Sequence, residues 1–294
     1  MSGSSSHEPH RFGKPIPWCL VVLLVTLVLA GCGSTAGPTG GSPGGSSPRL
    51  VWSDEFSGPA GSAPSPGSWN QVTGGGGWGN QEMECYTTDR GNSALDGRGD
   101  LVISARRAPR HRCGSTTNDY TSARLTTQGL HAFTYGTFSV RARMPTGAGI
   151  WPAFWALGAN YGTVGWPSCG EIDMSEVIGS DGSVSHASVH GPGAGSAPYS
   201  FTGLYRATKD LSAGFHVYAV HWTPTALTFS VDSRYVYSVT KATVLRSGGG
   251  WVFDHPFFLL LNVAVGGTWP GPPSDSTTWP QQMVVDYVRV YQDG

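Results

Sequence analysis

No stretch of useful length in this chain carries apolar residues at i, i+3, i+4 and i+7 without a glycine, a proline or a β-branched residue cutting it. That leaves little room for amphipathic helices. What recurs instead is short segments that alternate apolar and polar residues or run apolar: residues 101–105, 136–143, 215–222, 227–232 and 283–291, with turn residues between them. In the third of these, Phe215, Val217, Ala219 and His221 fall on one face. His216, Tyr218, Val220 and Trp222 fall on the other, the two-residue period of a strand. The 43 glycines and 21 prolines suit many tight turns. The expected fold is all-β, a two-sheet antiparallel β-sandwich.

The N-terminus reads as a processing signal. Arg11 and Lys14 precede an apolar run over residues 18–30, too short to span a bilayer comfortably. The run ends in Leu29-Ala30-Gly31-Cys32, which resembles a bacterial lipobox. By that resemblance residues 1–31 are a signal peptide and Cys32 becomes a lipidated N-terminus, holding the protein on the outer face of the cell membrane. An ordinary secretory peptide is the alternative, and either one exports the chain. Residues 33–48 are nearly all Gly, Ser, Pro, Thr and Ala, so 32–48 make a flexible tether. Residues 49–294 then form one domain, of a size at which β-sandwiches are common and a core is readily buried. The net charge of -1 gives no reason to expect nucleic acid or acidic polymers as partners, and a monomer is expected. No His or Cys spacing suggests zinc, and no Ser-His-Asp or phosphate-loop signature is present.

Charge is used sparingly, on 37 of 294 residues, yet Glu171-Ile172-Asp173-Met174-Ser175-Glu176 places three acids within six positions. In a strand Glu171 and Asp173 share a face, while Glu176 points away unless Met174 or Ser175 is an extra, bulged residue. With the bulge, three acids line one wall. Cleaving a glycosidic bond needs such a set: one carboxylate to attack the anomeric carbon and one carboxylic acid to protonate the leaving oxygen.

Upstream stand Gly149-Ile150-Trp151-Pro152-Ala153-Phe154-Trp155-Ala156-Leu157-Gly158 and Gly165-Trp166-Pro167-Ser168-Cys169-Gly170. Together with the acids, this stretch resembles the active-site region of glycoside hydrolase family 16. It is closest to the laminarinase-like (endo-β-1,3-glucanase) branch, which has E-x-D-x-x-E where the lichenase branch has E-x-D-x-E. Further matches follow in order at residues 51–56, 74–87, 121–125, 135–143, 262–267, 269–271 and 285–291. The resemblance implies a jelly roll with a concave substrate cleft and retention of anomeric configuration. Glu171 would be the nucleophile and Glu176 the acid/base, with Asp173 between them helping to keep Glu176 protonated. The implied substrate is β-glucan. Mixed-linkage glucan or a galactan is the same-chemistry alternative, and a non-catalytic carbohydrate-binding lipoprotein is the different one, against which the complete acid set argues.

Sugar rings call for aromatic platforms and polar groups. Trp78, Trp151, Trp155, Trp166 and Trp269 are the candidate platforms. Trp151 and Trp155 share a strand face, with a core position for one of them left open. Asn80, Arg124, His190 and Asn262 are candidate hydroxyl binders, and His216 and His221 are read as structural. No cofactor is expected for catalysis. Many family members carry a structural calcium, whose ligands would match the Asp286 carboxylate and backbone oxygens near Glu55 and Gly97. Of five cysteines three remain in the body, and Cys85 with Cys113 is the preferred disulfide, joining the substrate loop to a Pro/Arg/Gly-rich excursion at 108–118. Cys169 has no base beside it and reads as a small buried hydrophobe.

Overall fold

The alternating segments pair as strands. A computed structural model describes residues 47–293 apart from Ser196, so the expected signal segment, the expected lipobox with Cys32 and the expected tether up to residue 46 lie outside the described residues. Seventeen strands follow in chain order: β1 (Arg49–Asp54), β2 (Asn70–Val72), β3 (Glu84–Tyr86), β4 (Ser93–Leu95), β5 (Leu101–Cys113), β6 (Thr116–Ser122), β7 (Arg124–Thr126), β8 (Gly136–Arg143), β9 (Ile150–Gly158), β10 (Glu171–Val177), β11 (Val184–Pro192), β12 (Pro198–Arg206), β13 (His216–Thr223), β14 (Ala226–Val231), β15 (Arg234–Thr240), β16 (Phe257–Val265) and β17 (Gln281–Gln292). Among the described residues helix is confined to α1 (Tyr161–Val164), α2 (Lys241–Arg246) and one 3₁₀ turn, Gly179–Asp181.

The strands form two sheets. One runs β15-β14-β13-β8-β17-β5-β6-β3, with β1 also on β17 and β4 on β5; the other runs β12-β11-β10-β9-β16-β7-β2. Strand pairing is antiparallel except between β3 and β6. The core lies between the sheets. Phe138, Val140, Tyr218, Val220, Trp222 and Val285 face it from the first sheet, and Ile150, Phe154, Ile172, Leu259, Leu261 and Val263 from the second. Each such side chain contributes on the order of 1.5–3 kcal/mol by leaving water. Tyr218, Val220 and Trp222 are fully buried, as the face assignment of 215–222 requires, while His216 is half-buried.

Two segments depart from the sequence reading. Residues 121–125, read as one strand, divide at the buried Ala123, where the chain crosses from one sheet to the other. Ser122 Oγ marks the crossing by donating to Val263 O at 2.6 Å. The supposed excursion at 108–118 is the hairpin of β5 and β6, with a bulge between Arg107 and His111. Arginine and proline mask its alternation, and a disulfide between Cys85 and Cys113 (Cα–Cα 5.8 Å) ties it to β3. Cys169 is a free, buried thiol, pushed up to about 11 by burial.

Candidate active site

β10 carries the acids, and its register explains their alignment. Toward β9, Asp173 pairs with Trp155 and Ser175 with Phe154, leaving Met174 as the extra residue. Toward β11 the register slips over the same stretch. Met174 turns into the core with Ile172 and Val177, and the change of parity returns Glu176 to the face of Glu171 and Asp173. Glu171 and Glu176 line a single cleft of about 930 Å³, and Asp173, 2% exposed, lies between them. Gly170 admits the chain to this strand at φ +76, where a Cβ would stand 2.9 Å from Phe257 and Val252.

Cross-strand pairing lays out the cleft in rows. Level with Glu171 stand His190 and Leu157; level with Asp173, Ser188 and Trp155; level with Glu176, His186 and Ala153. β16 extends these rows with Phe258, Leu260 and Asn262, and β7 adds Thr126 and Arg124. On the other flank β12 sets Ser200 and Thr202 opposite His190 and Ser188. The cleft therefore crosses the strands, with hydroxyls on one side of the acids and aromatics on the other. A loop with positive φ at Gly74, Gly76, Gly77 and Gly79 brings Trp78 and Asn80 to the aromatic flank.

Each side chain named for catalysis or sugar binding except Asp173 lines this cleft. Trp166 and Trp269 are exposed, while Trp151 and Trp155 are both half-buried and neither is core. Trp166 Nε1 donates to Glu171, and Trp151 Nε1 donates to Glu176 Oε1 at 3.0 Å. Trp269 packs edge-on to both Trp151 and His186. The Arg124 guanidinium sits over Trp78 at 5.2 Å and over Trp155 at 4.8 Å. Asn262, expected as a hydroxyl binder, lines the cleft and also supports its neighbours. Its amide accepts from Trp155 Nε1 at 2.7 Å and donates to Tyr86 Oη at 3.0 Å, so it braces a platform. Asn80 Nδ2 donates to Glu82 Oε1 at 3.0 Å. His190 Nε2 stands 3.1 Å from Asp173 Oδ2, within ion-pair distance but off the line of a hydrogen bond.

Burial governs the electrostatics. It pushes Glu171 up to about 8, with Asp173 adding to it and His190 and the Trp166 indole opposing. Burial pushes Asp173 up to about 7. Glu176 is raised well above the carboxylate range by burial, then by Asp173 and Glu171. Three acids this close bind protons as a unit, and at least one stays protonated near neutral pH. A carboxylic acid and a carboxylate in one aromatic cleft can together donate a proton and attack an acetal carbon.

Sequence reasoning missed Glu82, His186 and Ser188. His186 and Ser188 share the parity of His190 along β11, a signal that was available once that strand was drawn. The residues named for calcium lie on the opposite sheet. On one side of β17, β5 pairs up to Val285 and β1 begins pairing at Val288, so Asp100 and Glu55 approach Asp286 between them. Arg141 donates to one Asp286 oxygen, and Arg289 holds the Glu55 carboxylate. Among the described residues no three side-chain metal ligands gather.

Glu171 and Glu176, side by side on one wall of a groove lined with indoles, mark a sugar-cleaving enzyme of the glycoside hydrolase class. The chain belongs to glycosyl hydrolases family 16, whose model matches residues 81–289. It is 41% identical over 250 residues to a beta-glucanase of Rhodothermus marinus, covering 83% of this chain and 85% of that protein. To a glucan endo-1,3-beta-glucosidase of Cryptopygus antarcticus it is 36% identical over 253 residues, 82% of this chain and 90% of the relative. Among solved structures, the laminarinase catalytic domain of Thermotoga maritima superposes with a TM-score of 0.78 at 42% identity, over 85% of this chain and all of that domain.

Proposed function

We propose that the protein is a retaining endo-hydrolase of β-1,3-glucosidic bonds in laminarin-type β-glucan. The observation that carries the mechanism is the bulge at Met174, which sets Glu171 and Glu176 on one cleft. The activities of these relatives support the choice of substrate. Glu171 attacks the anomeric carbon while Glu176 delivers its proton to the departing glycosidic oxygen. Glu176 then takes a proton from water, and that water breaks the glycosyl ester from the face just vacated, so configuration is retained. With Trp151 occupying Oε1, the transferable proton belongs on Glu176 Oε2. Asp173 opposes ionisation of Glu176, and the Trp166 indole favours the charged form of Glu171.

Reducing ends released from laminarin, lichenan and agarose test this reading. Fastest release from laminarin is expected. Preference for lichenan or agarose would reassign the substrate, and glucan binding without release would remove the enzyme reading of this site.

Two further proposals concern the body and its address. The free oxygen of Asp286, with backbone carbonyls near Glu55 and Gly97, makes an all-oxygen donor set of the kind calcium takes, with a purely structural role. A melting temperature that falls on chelation and recovers with calcium supports it, and no change removes it. Export with lipidation at Cys32 predicts that Cys32→Ser releases the protein from membranes; unchanged membrane retention would exclude that anchor.

A further inference from the structure

The β5–β6 hairpin carries charge that hydrolysis of a neutral glucan leaves unused. Arg106, Arg107, Arg110 and Arg112 place four of the chain's 18 Lys and Arg within one short run. All four are exposed, and among the described residues none pairs with a carboxylate. The nearby acids are turned to backbone: Asp119 Oδ1 accepts from the Arg110 N–H at 2.8 Å, and Asp89 Oδ1 from the Gly91 N–H at 2.6 Å. Arg106 Nε donates to Gly91 O at 2.7 Å, fastening beside it the loop that bears the exposed Arg90. A net charge of -1 hides this local excess.

The hairpin is held firmly and stands next to the cleft. β6 lies between β5 and β3, the disulfide closes the hairpin onto β3, and Asn118 Nδ2 donates to Met83 O and Glu84 O. A Cβ at Gly75 would come within 3.2 Å of Cys113 Sγ and 3.0 Å of Asn118, so the hairpin abuts the loop that presents Trp78 and Asn80. On that flank the arginine-bearing hairpin is the next element beyond the loop. Guanidinium forks match the paired oxygens of carboxylate, sulfate or phosphate. Their spread along a ribbon suits a chain of anionic groups rather than one small ion.

We propose that the β5–β6 hairpin is an anion-binding arm that holds an acidic polysaccharide alongside the cleft. A membrane surface suits it less. Arg49, where the body begins, pairs with Gln292, while Ala105 pairs with Gln281, the other end of the 12-residue β17. The arm thus lies roughly 36 Å from the end where the tether enters.

The test is titration of the full chain with dextran sulfate and with polygalacturonate, against neutral dextran and phosphatidylglycerol vesicles. Wild type should bind at least one polyanion, more weakly as salt rises. Arg106→Gln/Arg107→Gln/Arg110→Gln/Arg112→Gln should weaken that binding about tenfold or more, the summed effect of four exposed ion pairs. The corresponding quadruple Lys variant should keep most of it. Binding of only one polyanion assigns sulfate or carboxylate as the favoured group. Laminarin hydrolysis should not move in either variant, so loss of the glucanase reading would be seen separately, and melting temperature should move only by the loss of the exposed Arg106–Gly91 contact. Failure of wild type to bind either polyanion, binding indifferent to the Gln variant, or capture of vesicles but not polysaccharide would overturn the proposal.

Discussion

The two faces of β10 are built on opposite terms. On the inner face Ile172, Met174 and Val177 are fully packed between the sheets, where burial and cohesion act together. On the outer face, within the same seven residues, Glu171, Asp173 and Glu176 are crowded where burial raises all three and repulsion adds to it at Glu171 and Glu176. One face stabilises the fold and the other is tolerated by it. The bulge joins the two, because the single residue that it adds goes to the core and thereby aligns the acids. Activity is thus loaded onto a strand whose position is already secured from behind.

Breaking the outer face should abolish turnover with little loss of fold. Glu171→Gln is expected to lower kcat by roughly 10⁴-fold or more and Glu176→Gln by about 10³-fold, both with glucan binding retained, as measured by turnover beside isothermal titration. Near-normal turnover in either variant would remove its assigned role. Breaking the inner face should do the reverse. Phe154 is fully buried, and Phe154→Ala should reduce unfolding free energy by about 3–5 kcal/mol in denaturant titration, while the fraction that stays folded still turns over.

The contrast also has a pH signature. Raised by burial to about 8 from its ordinary value of 4.5, Glu171 is one of three acids that together keep more protons in the folded state than in the unfolded chain. Between those values the folded state binds more protons, so this group's contribution makes stability fall as pH rises, and the loss is complete above about 8. Glu171→Gln should therefore be more stable than wild type at pH 8, by about 1–3 kcal/mol, with the gain vanishing below about pH 4. Melting curves across that range check it, and an equal difference at both ends would contradict it. The smallest effect concerns Trp151. Its indole stabilises the ionised form of Glu176, so Trp151→Phe should raise that pKa and move the alkaline limb of kcat/KM upward by up to about one pH unit. A limb that stays put would mean that the indole does not tune the acid.

Much of this was legible in the chain, for reasons that differ by region. The sandwich follows from period-two alternation, which is local, so segments such as Gly136–Arg143 keep their bounds in the structure. The bulge was legible because three acids at E-x-D-x-x-E spacing make sense only with a shift of parity. Pairing partners were not, since register across strands far apart in sequence leaves no local mark. Hence the bracing of Asn262 by Trp155 and Tyr86 was not foreseen, and His186 was overlooked opposite Glu176. The β5–β6 hairpin was read as an excursion because its arginines and proline interrupt the apolar pattern that marks a half-buried strand.

Trapping with a 2-deoxy-2-fluoro laminaribiosyl fluoride, followed by peptide mass mapping, reaches the alignment of the acids most directly. A stable glycosyl ester on Glu171, with the β-anomer as first product by NMR in the unmodified reaction, is the predicted result. An ester on Glu176 or Glu82, or an α-anomer formed first, would contradict it.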